Sequence, residues 1–285
     1  MLLEEQEDPV KKDSAYLLTK KQNRQKITML TCYDYPTALL EDRAGIDIII
    51  VGDSVGTNVL GYQDETEVTM DDIVHHLKAV RRGVSQAYII ADLPYASYHS
   101  PNEALNNAQR LIASGADCVK LEGVFEAVVT QLVKHNIEVC GHIGLLPQTH
   151  RKKAVQGKRF LDAKFLVESA VTLEKAGVTM LLFELIPEEV GKLITETVKV
   201  PTLAIGAGRF ADGQVLIVND ILGITPKKLK LAKQYQDFQT LAFQAILAYK
   251  EEVECQQFPA DENVRHMAPE ELQLLIEWVR QVQEV

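Results

Sequence analysis

Eight short apolar runs, separated by amphipathic stretches, constrain this sequence more than any other feature. They are ITMLTCYD (27–34), IDIIIVGD (46–53), AYIIADLP (87–94), CVKLEG (118–123), EVCGHIG (138–144), MLLFELIP (180–187), PTLAIGAG (201–208) and VLIVND (215–220). They are rich in β-branched residues and nearly unbroken in their apolar character, as strands are when a parallel sheet is covered on both faces. Between them the spacing predicts helices over 35–44, 71–82, 101–114, 124–135, 164–176 and 187–198. Ser100-Pro101 marks one helix start and Gly115 its stop. Strand–helix alternation repeated eight times predicts a single (β/α)8 TIM barrel of the α/β class, which fits in about 250 residues. From the pattern alone, an open doubly wound sheet is the alternative.

The ends differ from the middle. Residues 1–25 are polar and charged and read as an N-terminal arm or capping helix. The barrel is expected over 26–255, its last helix spanning 229–255. Residues 256–285 form a C-terminal extension, in which Leu272, Leu275, Ile276 and Val279 recur at helical spacing over 269–284. Such a stripe is read first as a helix docked on its own barrel and second as a subunit contact. No internal repeat or low-complexity linker divides the chain.

Composition excludes several classes. Thirty Lys and Arg stand against forty Asp and Glu, a formal charge of −10, which opposes nucleic-acid binding because phosphate recognition needs a positive field. Cys32, Cys118, Cys140 and Cys255 form no CxxC pair, so the sequence offers neither a disulfide framework nor a zinc signature. No run of 18 apolar residues is present, so no membrane span is expected. Without a secretory or transit pattern at its acidic start, the chain reads as cytoplasmic.

Polar residues interrupt the strands in one phase. Side chains i and i+2 share a face, so in CVKLEG Cys118, Lys120 and Glu122 point one way and Val119 and Leu121 the other. The apolar pair belongs against the outer helices, which turns Lys120 and Glu122 into the barrel at its C-terminal mouth, where barrel active sites lie. The same reading pairs Val51 with Asp53, Ile90 with Asp92, Cys140 with His142 and Leu182 with Glu184. Alone, Asp53 or Asp92 would read as a helix N-cap, Lys120 as a rim lysine and His142 as a hydrogen-bonded core histidine. The repetition favours a site. Buried carboxylates demand cations, and one Lys is too little for Asp53, Asp92, Glu122 and Glu184. An oxygen-rich set without paired Cys or His points to a hard divalent ion such as magnesium.

Two further motifs are weaker. IGAGRFA (205–211) matches a GxGxxA dinucleotide pattern but follows the seventh run instead of opening a first βα unit, so a tight glycine turn competes with a ligand contact. The loop after His142 carries Arg151, Lys152, Lys153, Lys158 and Arg159. A solvated charge run is the ordinary reading, and an anion-binding lid over the mouth is the sharper one.

The motifs TCYDYPTA (31–38), VGDSVGTNVLGY (51–62), ADLPYASY (91–98), GADCVKLEG (115–123), VCGHIGLLPQ (139–148), FELIP (183–187), IGAGRFADGQVLIVND (205–220) and AYKEEVECQQFPAD (248–261) follow one another in an order that resembles the ketopantoate hydroxymethyltransferases. The resemblance implies a (β/α)8 enzyme of pantothenate and coenzyme A synthesis, transferring a one-carbon unit from 5,10-methylenetetrahydrofolate to 3-methyl-2-oxobutanoate through a magnesium-stabilised enolate, and it implies a decamer-like homo-oligomer. By position, Asp53, Asp92 and Glu122 match the magnesium site. Asp53, Ser54, Asp92 and Lys120 match the oxo-acid contacts, Glu184 matches the catalytic base, and His142 supports the pocket. The chain departs from the family at Val124, at HRKKA (150–154) and at Glu65-Thr66-Glu67, all in loops around the mouth. A magnesium-dependent lyase or mutase of the phosphoenolpyruvate-mutase type and a noncatalytic barrel remain as alternative readings.

Overall fold

The computed structural model describes residues 10–150, 153–225 and 230–283. Eight strands close into a parallel barrel in chain order: β1 (Ile27–Thr31), β2 (Ile48–Val51), β3 (Tyr88–Asp92), β4 (Cys118–Glu122), β5 (Glu138–Gly144), β6 (Met180–Glu184), β7 (Thr202–Ile205) and β8 (Gly213–Leu216). Pairing of Ile27 with Gly213 and of Met29 with Val215 joins the last strand to the first, which excludes the open sheet.

Alternation along the strands builds two separate cores. Ile27, Met29, Ile48, Ile50, Tyr88, Ile90, Cys118, Cys140, Met180, Leu182, Leu203 and Val215 fill the interior. Ile49, Val51, Ile89, Ala91, Val119, Leu121, Val139, Leu181, Phe183 and Ala204 form the outer layer. That layer packs on α2 (Tyr35–Arg43), α3 (Met70–Gly83), α4 (Pro101–Ala113), α5 (Glu126–Lys134), α6 (Phe160–Ala176) and α7 (Glu188–Thr197). Their starts follow the chemistry of the caps: Ser100 accepts from the Glu103 amide ahead of Pro101, and Thr69 and Asp72 bond reciprocally as a capping box. A preceding helix, α1 (Ser14–Gln22), sends Leu17 into the interior cluster, and its Lys20 and Tyr16 bind the Asp47 carboxylate.

Several boundaries differ from the sequence reading. The eighth strand begins at Gly213, two residues before the expected 215, and Val218–Leu222 is a short helix, α8, instead of strand. A Cβ at position 213 would lie 2.6 Å from the Ile27 carbonyl oxygen, so a glycine permits β1 and β8 to meet there. Helix α6 starts at Phe160 instead of 164, because Phe160 and Leu161 face solvent and contribute nothing to an apolar stripe. Residues 206–212 join β7 directly to β8 with positive φ at Gly206 and Gly208. No helix follows the glycines, so the IGAGRFA motif is a turn and lacks the helix N-terminus that a dinucleotide site needs.

From Asp237 a second compact unit begins. It holds α9 (Phe238–Glu254), whose start is later than the expected 229, a contact between the Tyr249 and Phe258 rings, and α10 (Pro269–Gln283). Leu272, Leu275, Ile276 and Val279 lie on α10 and are exposed. Among the described residues no helix is long and apolar enough to cross a membrane.

Candidate active site

At the C-terminal ends of the strands, the barrel opens into a cavity of about 400 Å³ whose lining includes Asp53, Ser54, Asp92, Lys120, Glu122, His142 and Glu184. All seven sequence-selected residues therefore meet in one place. Lys120, Glu122, Asp92, His142 and Glu184 arrive there by strand phase, continuing the inward rows of Cys118, Ile90, Cys140 and Leu182. Asp53 does not. Val51, its expected facing partner, belongs to the outer layer, so the alternation assigned to the end of β2 was off by one. The strand stops at Val51, and the turn that follows carries Asp53 over the rim, where its amide donates to Asp92 Oδ2 at 3.1 Å.

Burial sets the electrostatics. Asp53, Asp92, Lys120, Glu122 and His142 are each at most 5 % exposed. Lys120 Nζ lies 2.7 Å from Asp92 Oδ2 and 3.9 Å from Glu122 Oε1. Burial alone would lower the Lys120 pKa, but Asp92, Asp53 and Glu122 outweigh it and hold the ammonium well above its ordinary value. Desolvation raises all four acids. Asp53 is pushed up to about 7, with Asp92 adding repulsion, and Glu184 up to about 8, with Glu122 adding. Asp92 and Glu122 move upward for the same first reason. His142 is driven well below its usual range by burial and then by Lys120, so it is neutral. Its Nδ1 is 3.5 Å from Glu122 Oε1 and its Nε2 3.7 Å from Glu184 Oε2, beyond good hydrogen-bond length on both sides.

The carboxylates are not equally used at their two oxygens. Asp92 Oδ2 takes Lys120 and the Asp53 amide, whereas Asp92 Oδ1 is buried without a partner. Glu122 Oε2 accepts from the Gln148 amide, whereas Glu122 Oε1 is buried without a hydrogen bond. Orphaned anionic oxygens of this kind cost several kcal/mol unless a cation or proton meets them. The donor set is hard oxygen, which fits magnesium. Among the described residues no three His, Cys, Asp or Glu side chains already stand close enough together to hold a metal ion, so a bound ion would draw these carboxylates in and take its remaining ligands from substrate and water, as magnesium commonly does.

Sequence reading missed several residues of the cavity region. Gln148 and Tyr98 stand in loops after β5 and β3, where no periodicity marks a facing side chain. Tyr33 donates to or accepts from Ser54 Oγ at 2.8 Å. At the rim, Lys153 Nζ meets Glu65 Oε1 at 2.8 Å, joining two of the loops that depart from the family pattern. Of the basic loop, Arg151 and Lys152 lie outside the described residues, Lys158 and Arg159 are exposed, and Lys153 lines the cavity. Val124 lies outside this cavity, on two neighbouring clefts with Gly123 and Leu146.

Known proteins resemble the chain at two levels. Residues 11–261 match the family model described as ketopantoate hydroxymethyltransferase. The protein named 3-methyl-2-oxobutanoate hydroxymethyltransferase from Thermoanaerobacter sp. (strain X514) is 48 % identical over 252 residues, covering 86 % of this chain and 92 % of that one. The protein of that name from Koribacter versatilis (strain Ellin345) is 44 % identical over 275 residues, 94 % of this chain and 93 % of its own. Among solved structures, a phosphonopyruvate hydrolase in complex with oxalate and Mg++ superposes with a TM-score of 0.59 at 12 % identity, over 96 % of this chain and 98 % of that one. A 2,3-dimethylmalate lyase superposes at 0.53 and 15 % identity, over 95 % and 98 %. At these identities the structures share the barrel fold.

Proposed function

The chain belongs to the ketopantoate hydroxymethyltransferase family, and from that premise we propose that it uses 5,10-methylenetetrahydrofolate and a magnesium ion to hydroxymethylate 3-methyl-2-oxobutanoate. Family membership makes it an enzyme, which removes the noncatalytic barrel. The lyase or mutase alternative has only the shared fold behind it. The proposal extends to a place in pantothenate and coenzyme A synthesis, in the cytoplasm, as a homo-oligomer.

One observation carries the site assignment: Asp92 and Glu122, which line a cavity that also holds a lysine, each keep one oxygen tied to the protein and leave the other buried without a hydrogen bond. Asp53, Asp92 and Glu122 would hold the cation. When bound, the ion supplies Lewis-acid charge that lowers the cost of moving electrons onto the substrate's keto oxygen. Lys120, pinned by Asp92, offsets the negative charge of the substrate carboxylate, and Ser54 Oγ, fixed by Tyr33, supplies a neutral hydrogen bond.

Glu184 takes the proton from C3 of the oxo acid. Burial brings its carboxyl close to the operating pH, the condition for an effective general base. Neutral His142 stands between Glu184 and Glu122 with one N–H to give and one lone pair to receive. With Nδ1–H toward Glu122, its Nε2 lone pair faces Glu184 and can receive a hydrogen bond once Glu184 is protonated. Water supplies the hydroxyl oxygen as both carbon–nitrogen bonds of the methylene break, and the folate leaves as tetrahydrofolate with a hydrogen on each nitrogen. The electron pair left at C3 forms the new carbon–carbon bond, and the proton held by Glu184 returns to the hydroxymethyl oxygen.

Exchange of the C3 hydrogen with deuterated water tests this base. The native enzyme, with magnesium and the oxo acid but no folate, should exchange with a rate that climbs as pH rises toward about 8. Glu184→Gln should bind both ligands and lose exchange by roughly a hundredfold or more, in line with removal of a general base. Undiminished exchange rejects Glu184.

A further inference from the structure

Gln148 touches two of the three carboxylates assigned to the cation, through two different groups. Its side-chain Nε2 donates to Asp53 Oδ2 at 2.7 Å and to the Leu93 carbonyl at 3.1 Å. Its backbone N–H donates to Glu122 Oε2 at 3.0 Å. The side-chain Oε1 receives the Tyr98 hydroxyl. Gln148 is 2 % exposed and Tyr98 7 %, so water does not compete for these bonds.

The chemistry of the partners fixes which way the amide faces. An ionised carboxylate and a peptide carbonyl are acceptors only, so both hydrogens of Nε2 are spoken for. The remaining oxygen then needs a donor. Tyr98 meets that need, its hydroxyl donating to Gln148 Oε1. A flipped amide would set its one oxygen against both the Asp53 carboxylate and the Leu93 carbonyl, and its nitrogen against the phenol. No such arrangement survives in a buried site.

We propose that Gln148, oriented by Tyr98, is a positioning residue that ties one oxygen each of Asp53 and Glu122 and so aims their other oxygens at the divalent cation. The inference rests on the cation reading given above. It deepens that reading by separating the residues that touch the ion from the clamp that holds them. Partners behind metal ligands of this kind typically change affinity 10–100-fold when removed.

Substitution at 148 keeps the main-chain bond to Glu122 and removes the side-chain bonds to Asp53, the Leu93 carbonyl and Tyr98, so the side chain is tested apart from the backbone. The measurement is Mn²⁺ affinity, read by the free-ion electron paramagnetic resonance signal, with the full-length protein and saturating 3-methyl-2-oxobutanoate. Gln148→Met, of similar length and apolar, should weaken Mn²⁺ binding about tenfold or more. Tyr98→Phe should weaken it in the same direction, and the double variant no further than Gln148→Met alone, since Tyr98 acts through the amide. Circular dichroism and thermal unfolding establish that each variant is folded, and Gln148→Ala serves as a second truncation if Met does not fold. Native-like Mn²⁺ affinity in a folded Gln148 variant overturns the proposal. So do losses for the two single variants that multiply in the double. Native protein that binds no Mn²⁺ overturns the cation reading itself and this inference with it, an outcome visible before any variant is made.

Discussion

Glu41 on α2 is 5 % exposed, and neither of its carboxyl oxygens has a hydrogen-bond partner. Burial, with Asp34 adding repulsion, pushes its pKa from 4.5 up to about 9. Between those values the unfolded chain releases a proton that the folded chain keeps. Native stability therefore falls as pH rises through this window, by about 1.4 kcal/mol per pH unit, and is free of the penalty below pH 4.5. Glu41→Gln keeps the shape and helix propensity while removing the titration. Two pH units within the window make the variant gain about 3 kcal/mol on the native protein between pH 5 and pH 7, equivalent to a melting-point difference of roughly 6–12 °C for a chain of this size. Urea unfolding of both proteins at the two pH values measures it. Any packing cost of the substitution is common to both and cancels in the difference. Glu41 does not line the cavity, so turnover should be unchanged. A stability difference that is the same at pH 5 and pH 7 refutes the reasoning, because it means Glu41 ionises in the fold as it does in water.

Gly144 sits at the end of β5 with φ +96°, and a Cβ there would collide with the Glu184 carbonyl oxygen. Gly144→Ala should destabilise the barrel by about 1–3 kcal/mol through forced left-handed backbone and lower kcat by displacing the base, read by thermal unfolding and by C3 exchange. Asp92→Asn removes the charge that pins Lys120 and one cation oxygen, so calorimetry should find magnesium-dependent binding of the oxo acid weakened at least about tenfold. Unchanged titration curves would remove Asp92 from the site.

What the sequence made legible follows from how far one physical rule reached. Strand alternation is rigid, so β4 alone, with Lys120 and Glu122 inward between Val119 and Leu121, told which side of the barrel holds the charge, and Asp92, His142 and Glu184 followed in the same register. The rule fails where a strand stops. Asp53 lies past the last residue of β2, and the backbone of the turn aims it, which is why its phase was misread although it belongs to the same cavity. The eighth strand was misplaced for a related reason: Gly213 and Gln214 bring no apolar side chains to a run, yet Gly213 lets the ring close.

Gln148 and Tyr98 were legible only as letters within quoted motifs. Their meaning depends on bonds among Gln148, Tyr98, Asp53, Leu93 and Glu122, which converge from separate loops and a strand end, an arrangement with no one-dimensional signature. The same holds for Lys153 and Glu65, which are 88 positions apart and in contact. Periodicity thus finds groups carried by regular elements, whereas the loops supply groups that orient them. A barrel separates the two physically, since its strands fix where charges emerge and its loops vary around them. Positioning residues should therefore be sought one hydrogen bond behind the strand-end charges, starting from the oxygens already tied to the protein. At this site that path leads from Asp53 and Glu122 to one residue, Gln148.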